Sequence, residues 1–317
     1  MSLAQTLKGK TAFITGASRG IGLSIGRALA SRGANVVVAA KSATPHPKLP
    51  GTIHTASKEI DEIGSQSGNG VKGLAIQLDV RDAEKVHEAF DSAAQKFGGI
   101  DIVVNNASAI NMQPTAQIPV KAFDLMSSIN SRGTFLVTRS SLPYLEASSK
   151  AGKNPHILTL SPPLHTGLLS PSGGSWPAQF AQTGSAYTVS KLGMSLVSLA
   201  VAAETKGRIG VNALWPYTMI GTSAMKIVSP NAETEEKRWR SPEIVADAAA
   251  RIIEQDGSKF TAQFLLDEAY LRSSHNFTDE QIRNYSLGGA DWPLEDLAED
   301  LYISDSMRQE VLDSRRS

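Results

Sequence analysis

The chain has 317 residues, balances 31 basic against 31 acidic residues, and holds six histidines and no cysteine. That length suits one large α/β domain or two modest ones, and the even charge leaves no basic stripe for a phosphate backbone, so nucleic acid is not expected as a partner. Without cysteine there is no disulfide, thiolate zinc site or Cys nucleophile, and the scattered histidines form no HExxH pattern, so no metal is expected.

Short β-branched runs alternate with longer helical stretches, the pattern of repeated βαβ units. In chain order the strands are expected at Thr11–Thr15, Asn35–Ala40, Leu74–Leu78, Ile100–Asn105, His156–Leu160, Gly210–Leu214 and Gln263–Leu266. Helices fit between them at Ile21–Ser31, Ser57–Gly64, Ala83–Phe97, Val120–Leu145, Ala186–Lys206 and Pro242–Glu254. The sum is an α/β chain with a doubly wound, seven-stranded parallel sheet, a Rossmann fold, in a single domain over residues 1–270. Residues 42–55 and 161–186 are rich in Pro, Gly and Ser and read as loops; 271–317 is a polar, acidic extension, either a helical cap or a loose end.

No apolar stretch is expected to approach the ~18 residues of a membrane span, Leu196–Ala203 reading as short buried helix. The opening MSLAQTLKGK has no signal-peptide apolar region and the closing DSRRS is not a peroxisomal address, so a cytoplasmic location is expected.

The first strand runs into TGASRGIG at residues 15–22. Gly16 suits a tight turn, Gly20 lets backbone amides approach a pyrophosphate, and Gly22 permits close packing of helix on sheet, with the helix N-terminus attracting the anion. An NAD site needs an acid about 20 residues after the glycines to hold the ribose hydroxyls. No Asp or Glu precedes Glu59; the second strand ends in Ala40, Lys41 and Ser42, and Arg19 stands in the turn. Cations there suit a 2′-phosphate, so NADP(H) is the expected cofactor.

Residues 185–191, SAYTVSK, place Tyr187 and Lys191 four apart on one helical face. A carbonyl becomes an alcohol when hydride reaches carbon and a proton reaches oxygen, and a phenol with pKa near 10 can serve as that donor if an ammonium stabilises its anion.

The G-x-x-x-G-x-G spacing of Gly16, Gly20 and Gly22, together with Tyr187-x-x-x-Lys191, resembles the short-chain dehydrogenase/reductase family from about Lys8 to Glu268. The resemblance implies a catalytic set of Asn130 in the fourth helix, Ser161 after the fifth strand, Tyr187 and Lys191, with Ser161 orienting the substrate oxygen and Asn130 holding a relaying water. It implies a cofactor site of Gly16, Ser18, Arg19, Gly20, Ile21, Lys41, Ser42, Asp79, Val80, Asn106, Ala107, Tyr187, Lys191, Pro216 and Thr218. Asp79 is either an adenine contact or a helix cap. From Ser161 to Tyr187 is 26 residues, about twice the family's usual spacing; Ser175 fits that spacing but lies in an irregular loop, so Ser161 is preferred and the excess read as an insertion. In the turn after the fourth strand Ser108 replaces the family's Gly, and Pro216-Tyr217 replaces Pro-Gly.

KSATPHPKLPGTIHTASKEI, NNASAI, SPP and NALWP resemble the branch of hydroxysteroid dehydrogenase-like proteins, whose bacterial and fungal relatives are often called citronellol/citronellal dehydrogenases. Animal members carry a sterol-carrier domain after the dehydrogenase, for which this sequence is too short. Leu164, Leu168, Leu169, Trp176 and Phe180 in the insertion, with Tyr217, Met219, Met225 and Trp239 in the 216–241 loop, where the family has a lid, are expected to wall an apolar substrate. The reading is an NADP(H)-dependent enzyme acting on an apolar ketone, aldehyde or alcohol. The alternatives are a lyase or epimerase on the same scaffold, or an NADP(H) sensor, against which the presence of both Tyr187 and Lys191 speaks. The family also implies a homodimer or homotetramer packed through the fourth and fifth helices.

Overall fold

The computed structural model describes residues 5–47, 49–164, 178–229 and 231–316, with 178–183 described by backbone alone. Seven strands form one parallel sheet: β1 (Thr11–Thr15), β2 (Asn35–Ala40), β3 (Gly73–Gln77), β4 (Ile102–Asn105), β5 (His156–Leu160), β6 (Gly210–Trp215) and β7 (Phe264–Leu266). Their order is β3-β2-β1-β4-β5-β6-β7, the doubly wound arrangement expected from the sequence. The order reverses between β1 and β4, so the carboxyl ends of those strands open the crevice in which such sheets bind ligands.

Alternate residues of each strand feed opposite apolar layers, as a sheet covered on both faces requires. Ile14, Val36 and Val104 enter one layer; Phe13, Val37 and Val103 enter the other. Helix α1 (Gly20–Ser31) lies on the first face, and α3 (Ala83–Phe97) on the second. Between them in sequence, α2 (Ile53–Ser67) begins four residues before the expected Ser57. Thr52 caps it: the Thr55 amide donates to Thr52 Oγ1 at 3.2 Å while the Thr52 amide donates to Thr55 Oγ1 at 2.8 Å. That reciprocal pair satisfies two donors that a helix start otherwise leaves bare.

The helix expected from Val120 to Leu145 is interrupted. It comprises α4 (Val120–Met126), a π-helical turn (Ser127–Ser131) and α5 (Arg132–Lys150). Such a turn accommodates one extra residue and is common at functional sites; here it carries Asn130.

Helix α6 (Ala178–Glu204) breaks at Gly184, whose φ of 64° and ψ of 153° suit only glycine. A Cβ on Gly184 would stand 2.4 Å from the Gln113 carbonyl oxygen. The regular helix therefore starts at Ser185, one residue from the expected Ala186. The segment Gly184–Glu204 spans 21 residues at mean hydropathy 1.4, long and apolar enough by length and composition to cross a membrane. This corrects the expectation that no stretch approached that length; half of the window is buried inside the fold.

After β6 come α7 (Ser223–Val228), α8 (Ala232–Glu235) and α9 (Glu243–Ile253). The remaining helices are α10 (Asp267–His275), α11 (Asp279–Arg283) and α12 (Asp305–Ser314). Of the two alternatives for the tail, a loose end is not what forms. Leu301, Tyr302, Ile303, Met307 and Val311 are buried in one cluster with Met126, Tyr187 and Trp215. Ion pairs hold the tail: Glu299 pairs with Arg308, and buried Glu268, just before the tail, meets Arg272, Arg315 and, without hydrogen-bond alignment, Arg240. The Met219 amide donates to Ala298 O and the Asp300 amide to Tyr217 O, so the tail runs as a strap along the segment after β6.

Candidate active site

A cavity of about 540 Å³ opens at the carboxyl edge of the sheet. One end is the glycine turn between β1 and α1. Gly16 and Gly20 have φ of 67° and 56°, and both line the cavity with Arg19 and Ile21. Gly22 serves a purpose the spacing did not disclose. Its missing Cβ leaves room for the Asn106 amide, 2.5 Å from where that atom would sit. Asn106 Nδ2 donates to Thr15 O and Gly16 O at 3.0 and 3.1 Å, while Thr15 Oγ1 accepts from the Asn106 and Ala107 amides at 3.1 Å each. The turn after β4 thus staples the turn after β1, and Asn106 and Ala107 face the cavity.

The other end is the Tyr187–Lys191 face of α6, which the break at Gly184 aims inward. Tyr187 is buried beside Tyr302, ring centroids 6.3 Å apart. Lys191 Nζ donates to Leu160 O at 2.6 Å and lies 5.1 Å over the Trp215 ring. Burial pushes the Tyr187 phenol well above its usual 10, with Tyr302 and Asp300 adding to the rise. It pulls Lys191 down to about 7, opposed by Asp300. The expected pull of the ammonium on the phenol is therefore outweighed by desolvation, and Tyr187 stands in its protonated, donor form.

Ser161, directly after β5, is wholly buried and its Oγ has no hydrogen-bond partner among the described residues; the same holds for Thr218 Oγ1. Buried hydroxyls left unsatisfied are costly; neither residue is on the cavity wall, although Ser161 directly follows the wall residue Leu160. Asn130, in the π turn, is wholly buried. Its Oδ1 accepts from the Ala109 amide at 2.8 Å, and its Nδ2 donates to Ala109 O at 3.0 Å and Ser190 Oγ at 2.9 Å. These bonds join the loop after β4 to α6.

Of the expected cofactor contacts, Gly16, Arg19, Gly20, Ile21, Asn106, Ala107, Tyr187, Lys191 and Pro216 share the cavity wall; Ser18, Lys41, Ser42, Asp79, Val80 and Thr218 lie outside it. Lys41, at the exposed end of β2, stands 3.2 Å from Asp79 Oδ2. Asp79 also accepts from Arg81 Nε at 3.0 Å and Nη2 at 2.6 Å, and the bond from Arg81 holds its carboxyl far below the usual range. Asp79 is not the cap of α3, a role Asp82 takes by accepting from the Lys85 amide. Arg19 Nη2 donates to Gly51 O at 2.8 Å, drawing the loop after β2 over the turn.

The apolar walls also differ from expectation. Met219 and Met225 line the cavity, but Tyr217 and Trp239 are buried in packing beside it. Leu164 is described and lies off the wall; Leu168, Leu169, Ser175, Trp176 and the Phe180 side chain fall outside the described residues. Sequence reasoning missed Leu49, Thr222, Asp300 and Leu301, all on the wall. Thr222, as the cap of α7, bore a readable signal, its side chain accepting from the Met225 amide. The other three are brought in by tertiary contacts alone.

A short chain dehydrogenase family model matches residues 10–161. A solved short chain dehydrogenase of Mycobacterium thermoresistibile is 39% identical, with a TM-score of 0.79 over 94% of this chain and 96% of that one. A Xanthomonas campestris structure described as a candidate dehydrogenase is 40% identical, with a TM-score of 0.80 over 94% and 99%. The chain belongs to the short-chain dehydrogenase/reductase family, oxidoreductases built on a nicotinamide-cofactor fold. Hydroxysteroid dehydrogenase-like protein 2 of Danio rerio is 49% identical over 266 residues, 84% of this chain and 59% of the relative. The Homo sapiens protein of that name is 45% identical over 282 residues, 89% and 60% respectively. Within the family the chain falls in this hydroxysteroid dehydrogenase-like branch, spanning about three fifths of the length of the curated relatives it matches.

Proposed function

We propose that the chain is an NADP(H)-dependent oxidoreductase that interconverts an apolar ketone or aldehyde and its alcohol. The observation that carries this is one cavity walled at one end by the glycine turn and at the other by buried Tyr187 and Lys191. The turn, with Gly20 free of a side chain, fits a dinucleotide, and the Ser161 hydroxyl, next to wall residue Leu160 and without a partner among the described residues, fits a substrate oxygen. The bound nicotinamide supplies or accepts hydride at the substrate carbon.

Tyr187 delivers the proton to the oxygen in reduction and takes it back in oxidation. Lys191 places its charge beside the phenolate that forms, in a dry site where that charge counts for more than in water. Ser161 Oγ orients the carbonyl oxygen. Asn130 keeps α6 and the loop after β4 in register through Ser190 and Ala109. Ile110, Met112, Leu160, Trp215, Met219 and Met225 give the remaining wall an apolar character that favours an apolar carbonyl compound.

NADP(H) is favoured over NAD(H) because β2 ends in Ala40 followed by Lys41, with Arg19 across the crevice and no acid at the ribose position. The Lys41–Asp79 contact is solvent-exposed and would yield readily to a phosphate. Exposed Phe123 and Phe135 on α4 and α5, with Val189, Leu196 and Leu199 on α6, support a homodimer or homotetramer formed through these helices.

The test is consumption of NADPH beside NADH by the purified protein over a panel of apolar ketones and aldehydes. Tyr187→Phe should lower turnover by at least ~10² with NADPH affinity nearly unchanged. Equal turnover by the variant would remove Tyr187 as proton donor; no turnover on any carbonyl, with NADPH still bound, would refute the oxidoreductase reading.

A further inference from the structure

Tyr302 is wholly buried, yet its backbone stands at φ 67°, the left-handed region that a bulky L residue rarely adopts. Such a conformation persists only where the surroundings over-determine it. The contacts around Tyr302 do so. Its ring lies tilted by 31° against the Tyr187 ring, centroids 6.3 Å apart, and edge-on to the Trp215 ring at 5.7 Å. Its hydroxyl donates to Thr188 Oγ1 at 3.4 Å, and Thr188 Oγ1 donates to Gly184 O at 3.0 Å. One side chain on the tail therefore touches Tyr187, the residue beside it, and through that residue the break from which the regular part of α6 starts.

The strap fixes Tyr302 along the chain as well. The Asp300 amide donates to Tyr217 O at 2.9 Å and Trp215 Nε1 donates to Leu301 O at 2.8 Å, so the two preceding residues are docked on the end of β6 and the segment after it. Two residues later Ser304 caps α12, its Oγ accepting from the Met307 amide at 3.3 Å. By contrast, no hydrogen bond among the described residues holds the Tyr187 hydroxyl. The aim of that phenol depends on what its ring packs against, in a cluster where Tyr302 and Trp215 supply the neighbouring rings.

We propose that Tyr302 is a positioning residue, its ring a wall that the tail sets against Tyr187 to hold the phenol at the angle from which it serves the substrate oxygen. The kinetic consequence rests on the oxidoreductase reading above; the packing of one ring on the other does not. Trp215, edge-on to Tyr302, also lies 5.1 Å from Lys191 Nζ, so both working side chains of α6 are registered against the same piece of tail. A general acid out of line loses transfer rate while cofactor and substrate still bind, which separates positioning from mere support of the fold.

Tyr302→Phe keeps the ring and should hold the single-turnover rate of NADPH oxidation within about three-fold, whereas Tyr302→Leu removes it and should lower that rate by about ten-fold or more, with NADPH affinity nearly unchanged. In the Leu variant the solvent deuterium isotope effect on the same rate should rise, because proton transfer becomes the slower event. That ratio is blind to how much of the protein is folded. Tyr302→Met, unbranched and adaptable, replaces the Leu variant should the latter not fold. Equal rates for the Phe and Leu variants overturn the proposal, as does a slowed Leu variant whose isotope effect matches that of the native protein. Should no carbonyl be turned over, NMR of carbon-labelled tyrosine decides, with the Tyr187 ring assigned through Tyr187→Phe. Its flip rate should stay native in the Phe variant and rise in the Leu and Met variants. A flip rate unchanged in all three overturns the packing role, so its failure is separate from failure of the enzymatic reading.

Discussion

Gly184 offers the sharpest test of how the site is built. Replacing it with alanine forces an L side chain into φ 64°, ψ 153°, at a cost of about 1–3 kcal/mol, and sets the new Cβ 2.4 Å from the Gln113 carbonyl. Something must shift to relieve that contact, bringing the total to about 2–4 kcal/mol. At ~2 °C per kcal/mol for a domain of this size, Tm should fall by roughly 4–8 °C. The shift falls three residues before Tyr187, so kcat should drop by about ten-fold or more through misplacement of the phenol. Gly207→Ala is the control: its φ is 78° but nothing lies within 4 Å of a Cβ there, so only the left-handed backbone cost of ~1 kcal/mol applies. Thermal unfolding by circular dichroism, with kcat on the best carbonyl substrate, compares the two. If Gly184→Ala melts no lower than Gly207→Ala, the loop carrying Gln113 does not hold the start of α6, and the reasoning fails.

Lys41→Asp should weaken NADPH binding by about ten-fold and leave NADH binding nearly unchanged, measured by titration of cofactor fluorescence; equal losses for both would place Lys41 away from the 2′-phosphate. His156, at the head of β5, is 1% exposed and its Nε2–H donates to Gln255 O at 3.0 Å. Burial lowers its pKa from 6.5 to about 4, so the unfolded chain takes up the proton first as pH falls. Stability from this group is complete above pH ~6.5 and lost progressively down to about 4, a loss of roughly 3 kcal/mol. Urea unfolding of His156→Gln should show a pH dependence shallower by that amount, and an unchanged slope would mean His156 is not held neutral.

The sheet was legible because each strand is a short β-branched run whose burial on both faces needs no knowledge of its neighbours, as in NVVVAA and HILTL. The glycine turn and the Tyr187–Lys191 pair were legible because their spacings are local. What escaped depends on distant partners. The early start of α2 rests on Thr52 and Thr55 capping each other where the sequence offers Pro and Gly just before. The π turn around Asn130 leaves the apolar rhythm of Val120–Leu145 nearly intact. The packed tail is hidden by its own acidity: Glu299 is matched to Arg308 close by, but Arg315 reaches Glu268 across 47 positions, a match no local window contains. Asp300 reads as one more acid among several until Trp215 and Tyr217 place it in the cavity wall.

The strap along the segment after β6 also sets a timetable. Cavity wall residues run from Gly16 to Leu301, so most of the sheet can assemble as the chain emerges from the ribosome while the pocket still lacks a side. The last pieces, Asp300 and Leu301, follow Glu299, which pairs with Arg308 farther along, while Arg315 ties the end of α12 to Glu268. A nascent chain halted at residue 290 would display the sheet with the Tyr187 end of the cavity lacking the cover of Leu301 and Tyr302. Enclosure of the pocket waits for residues made after the whole sheet, and a cut between α11 and α12 would undo it without touching the sheet.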